Sequence, residues 1–428
     1  VTLTDPAEIE AAYKQWRRRV LLTTIVGYAL FYFVRKNLSV AMPVMGKDLG
    51  ITKADLGLFL TLHGVLYGIS RFANGFFADR ANARAFMAVG LAASALMNIF
   101  FGFSSAVVTL GIVWMINGWV QGMGFPPVSH LMTHWFPPKQ LATKQSIWNT
   151  SHSIGAGLVV ILCGYLVTIN WRLCFFVPAA IALVGAVFLW RLLPDTPPSV
   201  GLPEVKGTEH IGGQAEQDGD FKALLMEKVF RNKYIWLLAL ANFFVYVVRY
   251  AVLDWGPTLL SEAKGVKLVH ASWMVAAFEV SGIIGMLVGG WLTDRVFGGR
   301  GARACLVYMT LATISVLIFW KLPASSKILS TVVLCTAGFF IYGPQALVGI
   351  IVANLATKRA AATAAGFTGI FGYASTVLSG WGLGLLVQKS GWDAGFMALT
   401  IMGILGTLCF AAVWKAKAHG YAESSQPH

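Results

Sequence analysis

The sequence predicts an all-α membrane protein: twelve transmembrane helices in two pseudo-symmetric six-helix bundles, both termini cytoplasmic. Three observations predict it. First, 57% of the 428 residues are hydrophobic and only 12% are charged, where soluble domains carry about 25% charge. Second, apolar runs recur near 20–46, 55–78, 85–104, 106–134, 145–168, 171–193, 234–259, 270–293, 304–320, 328–354, 362–387 and 394–414. Each approaches or exceeds the roughly 20 residues that a helix needs to cross the hydrocarbon core. Helices follow because lipid offers no partner to unpaired backbone groups. Third, the chain matches itself: Gly75 to Arg80 (GFFADR) ends the second run and Gly290 to Arg295 (GWLTDR) ends the eighth.

Taken in order, the runs divide six and six. Residues 1–193 form the N-terminal bundle, 194–232 a cytoplasmic linker and 233–428 the C-terminal bundle. The linker opens with PDTPPSVGLPEVKGTEHIGGQAEQDGD, rich in Pro, Gly and acid, which reads as flexible. FKALLMEKVF after it reads as a short surface helix. The polar, amphipathic N-terminus VTLTDPAEIEAAYKQWRRR is unlike a signal peptide. "VQGMGFPP" (120–127) and "IYGPQ" (341–345) place Gly and Pro mid-run and predict bends. Several runs exceed one crossing, which predicts tilt.

Charge then needs sorting by position. Net charge is +14, which in a soluble chain would point to nucleic acid. With the N-terminus inside, 21 of the 33 Lys/Arg fall in cytoplasmic segments and 8 in outer loops. That bias sets topology and removes the nucleic-acid reading. The remaining four, Arg35, Lys36, Arg71 and Arg249, lie within apolar runs. The five cysteines sit in apolar stretches without metal spacing, so no metal or cofactor is expected. Walker and GxGxxG patterns are absent, which excludes ATP as the energy source.

The repeat extends to the cations. YFVRKN (32–37) matches YVVRYA (246–251), pairing Tyr32 with Tyr246 and Arg35 with Arg249 at an offset of 214, while Asp79 and Asp294 are 215 apart. Internal repeats of this kind typify transporters with a midplane site between the halves. Gly75-x-x-x-Asp79-Arg80-x-x-x-Arg84, with the weaker copy Gly290-x-x-x-Asp294-Arg295, resembles the signature loop of the major facilitator superfamily. "FVRKNLSVAMP", "GMGFPP", "IWNTSHSIGAG", "VYVVRYAVLDWGPT" and "AAGFTGIFGY" more narrowly resemble the organophosphate:phosphate antiporter family. Its members include bacterial glycerol-3-phosphate and hexose-phosphate transporters, a hexose-phosphate sensor and the endoplasmic-reticulum glucose-6-phosphate translocase. The similarity runs from about residue 10 to 415.

A charge at mid-span costs about 2.5–3.5 kcal/mol even on lenient scales, so four demand a purpose. Arg35 and Arg249 lie at similar depth on equivalent helices and are expected to bind one phosphate by bidentate hydrogen bonds. The carboxylates within the runs, Glu279 and Asp254, are too few to neutralise all four. Lys36 is expected at the cavity and in a salt bridge, with Glu279 as partner, and Arg71 in the cavity lining, where the resemblance places a lysine. The resemblance also implies a substrate role for His152, with Trp148 and Asn149 one turn earlier. An imidazole beside phosphate can gain a proton as the anion arrives. Tyr28, Tyr32, Tyr67, Tyr246, Tyr342, Tyr373 and Gln121 complete the expected cavity. Asp79, Arg80, Arg84, Asp294 and Arg295 are expected to bridge or gate. His63, His130 and His134 read as packing residues.

The resulting expectation is a monomeric, multi-pass protein of the bacterial inner membrane that is not an enzyme. It would exchange inorganic phosphate for a small organic phosphate, a sugar phosphate or glycerol 3-phosphate. The alternative the resemblance leaves is a sensor of external hexose phosphate that signals to a histidine kinase. A proton-coupled organic anion transporter is a third reading, with Glu279 as its single clear carboxylate.

Overall fold

A computed structural model describes residues 6–78, 81–205, 223, 225–356 and 361–416. The regular structure among these residues is entirely helical. Contacts divide the chain into two compact units. The first holds Val1–Leu49 and Leu62–Gln214; the second holds Gly50–Thr61 and Ala215–His428.

The first unit contains α1 (Pro6–Phe33), α2 (Asn37–Leu49), most of α3 (Lys53–Ala78), α4 (Ala83–Phe103), α5 (Val107–Gln121), α6 (Phe125–Trp135), α7 (Pro138–Leu166) and α8 (Leu173–Leu192). α1 packs on α7 and α8, and α4 packs on α5 and α8. Small residues make the close approaches that drive helix association in lipid. A Cβ on Gly155 of α7 would stand 2.4 Å from the carbonyl oxygen of Ala29 on α1. Leu22, Val26, Phe100, Phe103, Val184 and Val187 are exposed, an apolar exterior suited to acyl chains.

Three predicted runs are interrupted; the run 362–387 passes through a wide turn, Val377–Gly382, between the helices Ala361–Ala374 and Leu383–Ala412, and the other two are each broken into two helices. The run 106–134 is interrupted over Gly122–Gly124, between α5 and α6. The run 20–46 is interrupted over Val34–Lys36, between α1 and α2. This last interruption falls on the two adjacent cations.

The second unit contains α9 (Lys233–Lys264), α10 (Leu268–Arg295), α11 (Gly301–Lys321), α12 (Lys327–Leu355), α13 (Ala361–Ala374) and α14 (Leu383–Ala412). α12 packs on α10 and α11, and α9 packs on α13 and α14. Pro257 and Pro344 lie inside α9 and α12 without ending them. α14 turns sharply at Gly391, whose φ of 77° is open to a residue without Cβ. The first residues of α3 belong to this unit: Thr61 Oγ1 donates to Thr376 O at 2.6 Å and accepts from Trp381 N at 2.9 Å.

Nine helical stretches among the described residues are long and apolar enough to cross a membrane. One of them, Thr363–Ala412, holds the last two of the twelve predicted runs. α1 is not among the nine: Arg17–Arg19 and the break after Phe33 leave it only a short uncharged stretch.

The start of the predicted flexible linker is instead anchored to the first unit. Trp135 Nε1 donates to Asp195 O at 2.8 Å, and Asp195 Oδ1 accepts from Ala83 N at 2.8 Å. The Tyr13 hydroxyl donates to Pro203 O, and burial raises its pKa. Pro197, Leu202 and Val205 are buried; these apolar residues, spaced among the polar ones, supply the anchor. Of the expected surface helix, the described residues are helical: Ala223, Leu225 and a wide turn over Met226–Phe230.

Candidate substrate-binding groups

In the first unit Arg35 sits where the helix is interrupted. The N–H groups of both Arg35 and Lys36 turn back to Tyr32 O, at 3.2 and 2.9 Å. Arg35 is 8% exposed and Lys36 5%. The Arg35 guanidinium lies 4.1 Å from the Tyr67 ring centre and 5.1 Å from that of Tyr32. Ring faces attract a cation and position it without neutralising it. The hydroxyls of Tyr28 and Tyr67 are 3.2 Å apart. Tyr32 lies 6.0 Å from the His152 ring, and Tyr28 packs 4.6 Å from Trp148. The Arg71 guanidinium lies 3.6 Å over Phe125. Arg35, Tyr28, Tyr32, Tyr67, Trp148 and His152 therefore form one cluster. Asn149 is partly exposed on the same helix.

The break frees backbone carbonyls, and each buried one left unpaired costs about 1–3 kcal/mol. Side-chain amides take them up. Phe31 O accepts from Gln121 Nε2 at 3.0 Å. Val34 O accepts from Asn98 Nδ2 and Asn117 Nδ2, both at 2.9 Å. Gln121, expected in the cavity lining, is 2% exposed, and its amide nitrogen donates to Phe31 O and also to Ser94 Oγ at 2.7 Å. Asn98 and Asn117 were not singled out in the sequence. The available signal was amide side chains inside apolar runs, where burial demands a partner. His63 is buried against Trp114, ring centres 5.3 Å apart, in keeping with a packing role.

In the second unit Arg249 is 3% exposed and lies on unbroken α9. The repeat in sequence is therefore not a repeat in backbone at this point. Its guanidinium is 4.7 Å from the ring centre of Tyr342, 5.6 Å from Tyr250 and 5.9 Å from Tyr246. The Tyr342 hydroxyl donates to Glu279 Oε1, and Glu279 is fully buried. Tyr250, one residue after Arg249, joins a cluster in which the sequence reading had placed Tyr246 and Tyr342. Tyr373 is partly exposed on α13.

Of the expected gating residues, Asp79 and Arg80 lie outside the described residues. Arg84 rests 5.6 Å over Trp190. Asp294 and Arg295, at the end of α10, are exposed.

Comparison with known proteins decides the family. Residues 24–380 match the Major Facilitator Superfamily. The chain belongs to that superfamily. This facilitator is 39% identical to the glycerol-3-phosphate transporter of Bacillus subtilis (strain 168), over 96% of this chain and 95% of the relative. It is 37% identical to a probable hexose phosphate transport protein of Chlamydia trachomatis, over 97% and 94%. It is also 37% identical to the membrane sensor protein UhpC of Salmonella typhimurium, over 97% and 96%. These relatives match the organophosphate:phosphate antiporter family to which the motifs pointed. The facilitator is a multi-pass integral protein of the bacterial inner membrane, and it is not an enzyme.

Proposed function

We propose that this facilitator exchanges a small organic phosphate, a sugar phosphate or glycerol 3-phosphate, for inorganic phosphate by alternating access. The observation that carries the reading is a buried arginine in each unit, each held among tyrosine rings. Arginine never deprotonates and presents a planar fork matched to phosphate. Arg35 and Arg249 are the phosphate ligands, with His152 beside Arg35. Tyr28, Tyr32, Tyr67, Tyr246, Tyr342 and Tyr373 supply hydroxyls to phosphate and to the organic part. Arg71 attracts the anion. The relatives named as glycerol-3-phosphate and hexose phosphate transporters support the substrate class.

The test uses purified protein in proteoliposomes loaded with labelled inorganic phosphate. Efflux is expected on adding external glucose 6-phosphate, glycerol 3-phosphate or phosphoglycerate, and the most effective of these identifies the substrate. Absence of exchange with every organic phosphate, in protein that still binds them, would replace the transporter reading with that of a sensor.

A further inference from the structure

The break between α1 and α2 is held open by a set of buried side chains from α4 and α5. Asn98, Asn117 and Ser94 are fully buried, and Gln121 is 2% exposed. The three amides donate to the carbonyls of Phe31 and Val34, on either side of Tyr32. They are also cross-linked. Ser94 Oγ donates to Asn117 Oδ1 at 2.5 Å and accepts from Gln121 Nε2. Asn98 donates to Ser94 O at 2.9 Å and accepts from Asn37 Nδ2 at 2.7 Å. Asn37, the first residue of α2, also donates to Cys174 O on α8 at 2.8 Å.

We propose that Asn98, Asn117 and Gln121 are positioning residues for Arg35: they replace the backbone partners that α1 loses and so keep its guanidinium turned toward Tyr67. The proposal rests on the reading of Arg35 as a phosphate ligand. In an unbroken helix the carbonyls of residues 31 and 34 accept from the N–H groups of residues 35 and 38. Here the N–H of Arg35 bonds to Tyr32 O, one residue short of that pattern. A side-chain amide stands at Phe31 O instead. Without the amides, the cheapest way to satisfy those carbonyls inside the membrane is to wind the segment back into regular helix. Successive helical positions differ by about 100°, so a shift of one hydrogen bond swings Arg35 away from Tyr67. Helices interrupted at mid-membrane persist where other groups re-satisfy the freed backbone and the site needs the distortion. The second unit has no such break, and its arginine is set by α9 itself.

The experiment compares Gln121→Met and Asn117→Leu, both near-isosteric and unable to donate, with Arg35→Gln in the full-length protein. Inorganic phosphate is the probe. Three quantities are read: the dissociation constant, the phosphate dependence of exchange in proteoliposomes and the melting temperature without ligand. The amide variants are expected to bind phosphate at least tenfold more weakly and to regain most of the exchange rate at saturating phosphate, while melting within a few degrees of the parent. Arg35→Gln is expected to lose exchange at every concentration. If Asn117→Leu fails to fold, Gln121→Met decides. Parental phosphate affinity in folded Gln121→Met, with affinity lost in Arg35→Gln, overturns the positioning role alone. Parental affinity in Arg35→Gln as well overturns the reading of Arg35 on which it rests.

Discussion

Arg35 and Arg249 face the same demand, a cation kept in a membrane, and both lie among tyrosine rings. If the fork matters and not only the charge, Arg35→Lys and Arg249→Lys should each bring phosphate exchange close to background in proteoliposomes. Near-parental exchange by either variant would show that a point charge is enough. His152 calls for a comparison across pH. An imidazole titrates near 6.5 in water, so a proton taken up on binding weakens phosphate affinity as pH rises past about 7. Phosphate itself titrates in this range, so the informative quantity is the difference between parent and His152→Gln. Superimposable profiles would remove His152 from binding. At this scale the sequence was legible where charge was out of place: four cations in apolar runs named themselves. Tyr250 was not legible, because one tyrosine among many carries no positional signal. The hydrogen bonds of Gln121 to the α1 backbone were not legible either, because an amide beside Gly and Pro reads equally well as cavity lining or as backbone cap.

Helices were legible from composition and run length, and most run limits agree with the helix ends to within a few residues. The exceptions have physical causes. α7 begins at Pro138, ahead of the predicted 145, because its polar first turns carry no hydropathy signal. The α1–α2 break is silent in hydropathy because every residue around it but the two cations is compatible with a span. Its signal lay on other helices, in Asn98 and Asn117. Packing between helices makes a prediction of its own. Gly155 leaves no room for a side chain against Ala29 O, so Gly155→Leu must push α7 from α1. Overpacking of this kind costs about 1–3 kcal/mol. The expected result is a clear fall in melting temperature of the purified protein, and an unchanged value would show that α7 shifts freely.

For the molecule as a whole, the grounds for expecting two bundles joined by a linker over 194–232 were legible in two matched offsets and one long polar stretch. The attachment of residues 195–205 to the first unit was not, because Pro, Gly and acid dominate that stretch and hide Pro197, Leu202 and Val205. The whole molecule also sets the energetics of turnover. Arg35, Lys36, Arg71 and Arg249 are within the predicted spans, and the spans offer only Glu279 and Asp254 in return. A bound phosphate dianion offsets much of that surplus, whereas an empty carrier carries all of it through its conformational change. Burying a surplus of charge costs several kcal/mol, so under the proposed exchange the empty transition is expected to be slower at least a hundredfold. Labelled phosphate should therefore leave proteoliposomes rapidly only when phosphate or an organic phosphate is present outside. Equal efflux with and without it would make the protein a uniporter.

The difference between broken α1 and unbroken α9 bears on how such a carrier can change over generations. Two arginines at matching places in the repeat answer to different sets of neighbours. The orientation of Arg249 is tied to α9, so altering it means altering a helix that packs on α10, α12, α13 and α14. The orientation of Arg35 hangs on a few amides in α4 and α5, where single substitutions reach it without touching a residue assigned to the ligand. Selection for a new organic phosphate thus has a fine adjustment in the first half and a fixed reference in the second. Variants that trade one sugar phosphate for another should accumulate around positions 94, 98, 117 and 121 before they appear on α9.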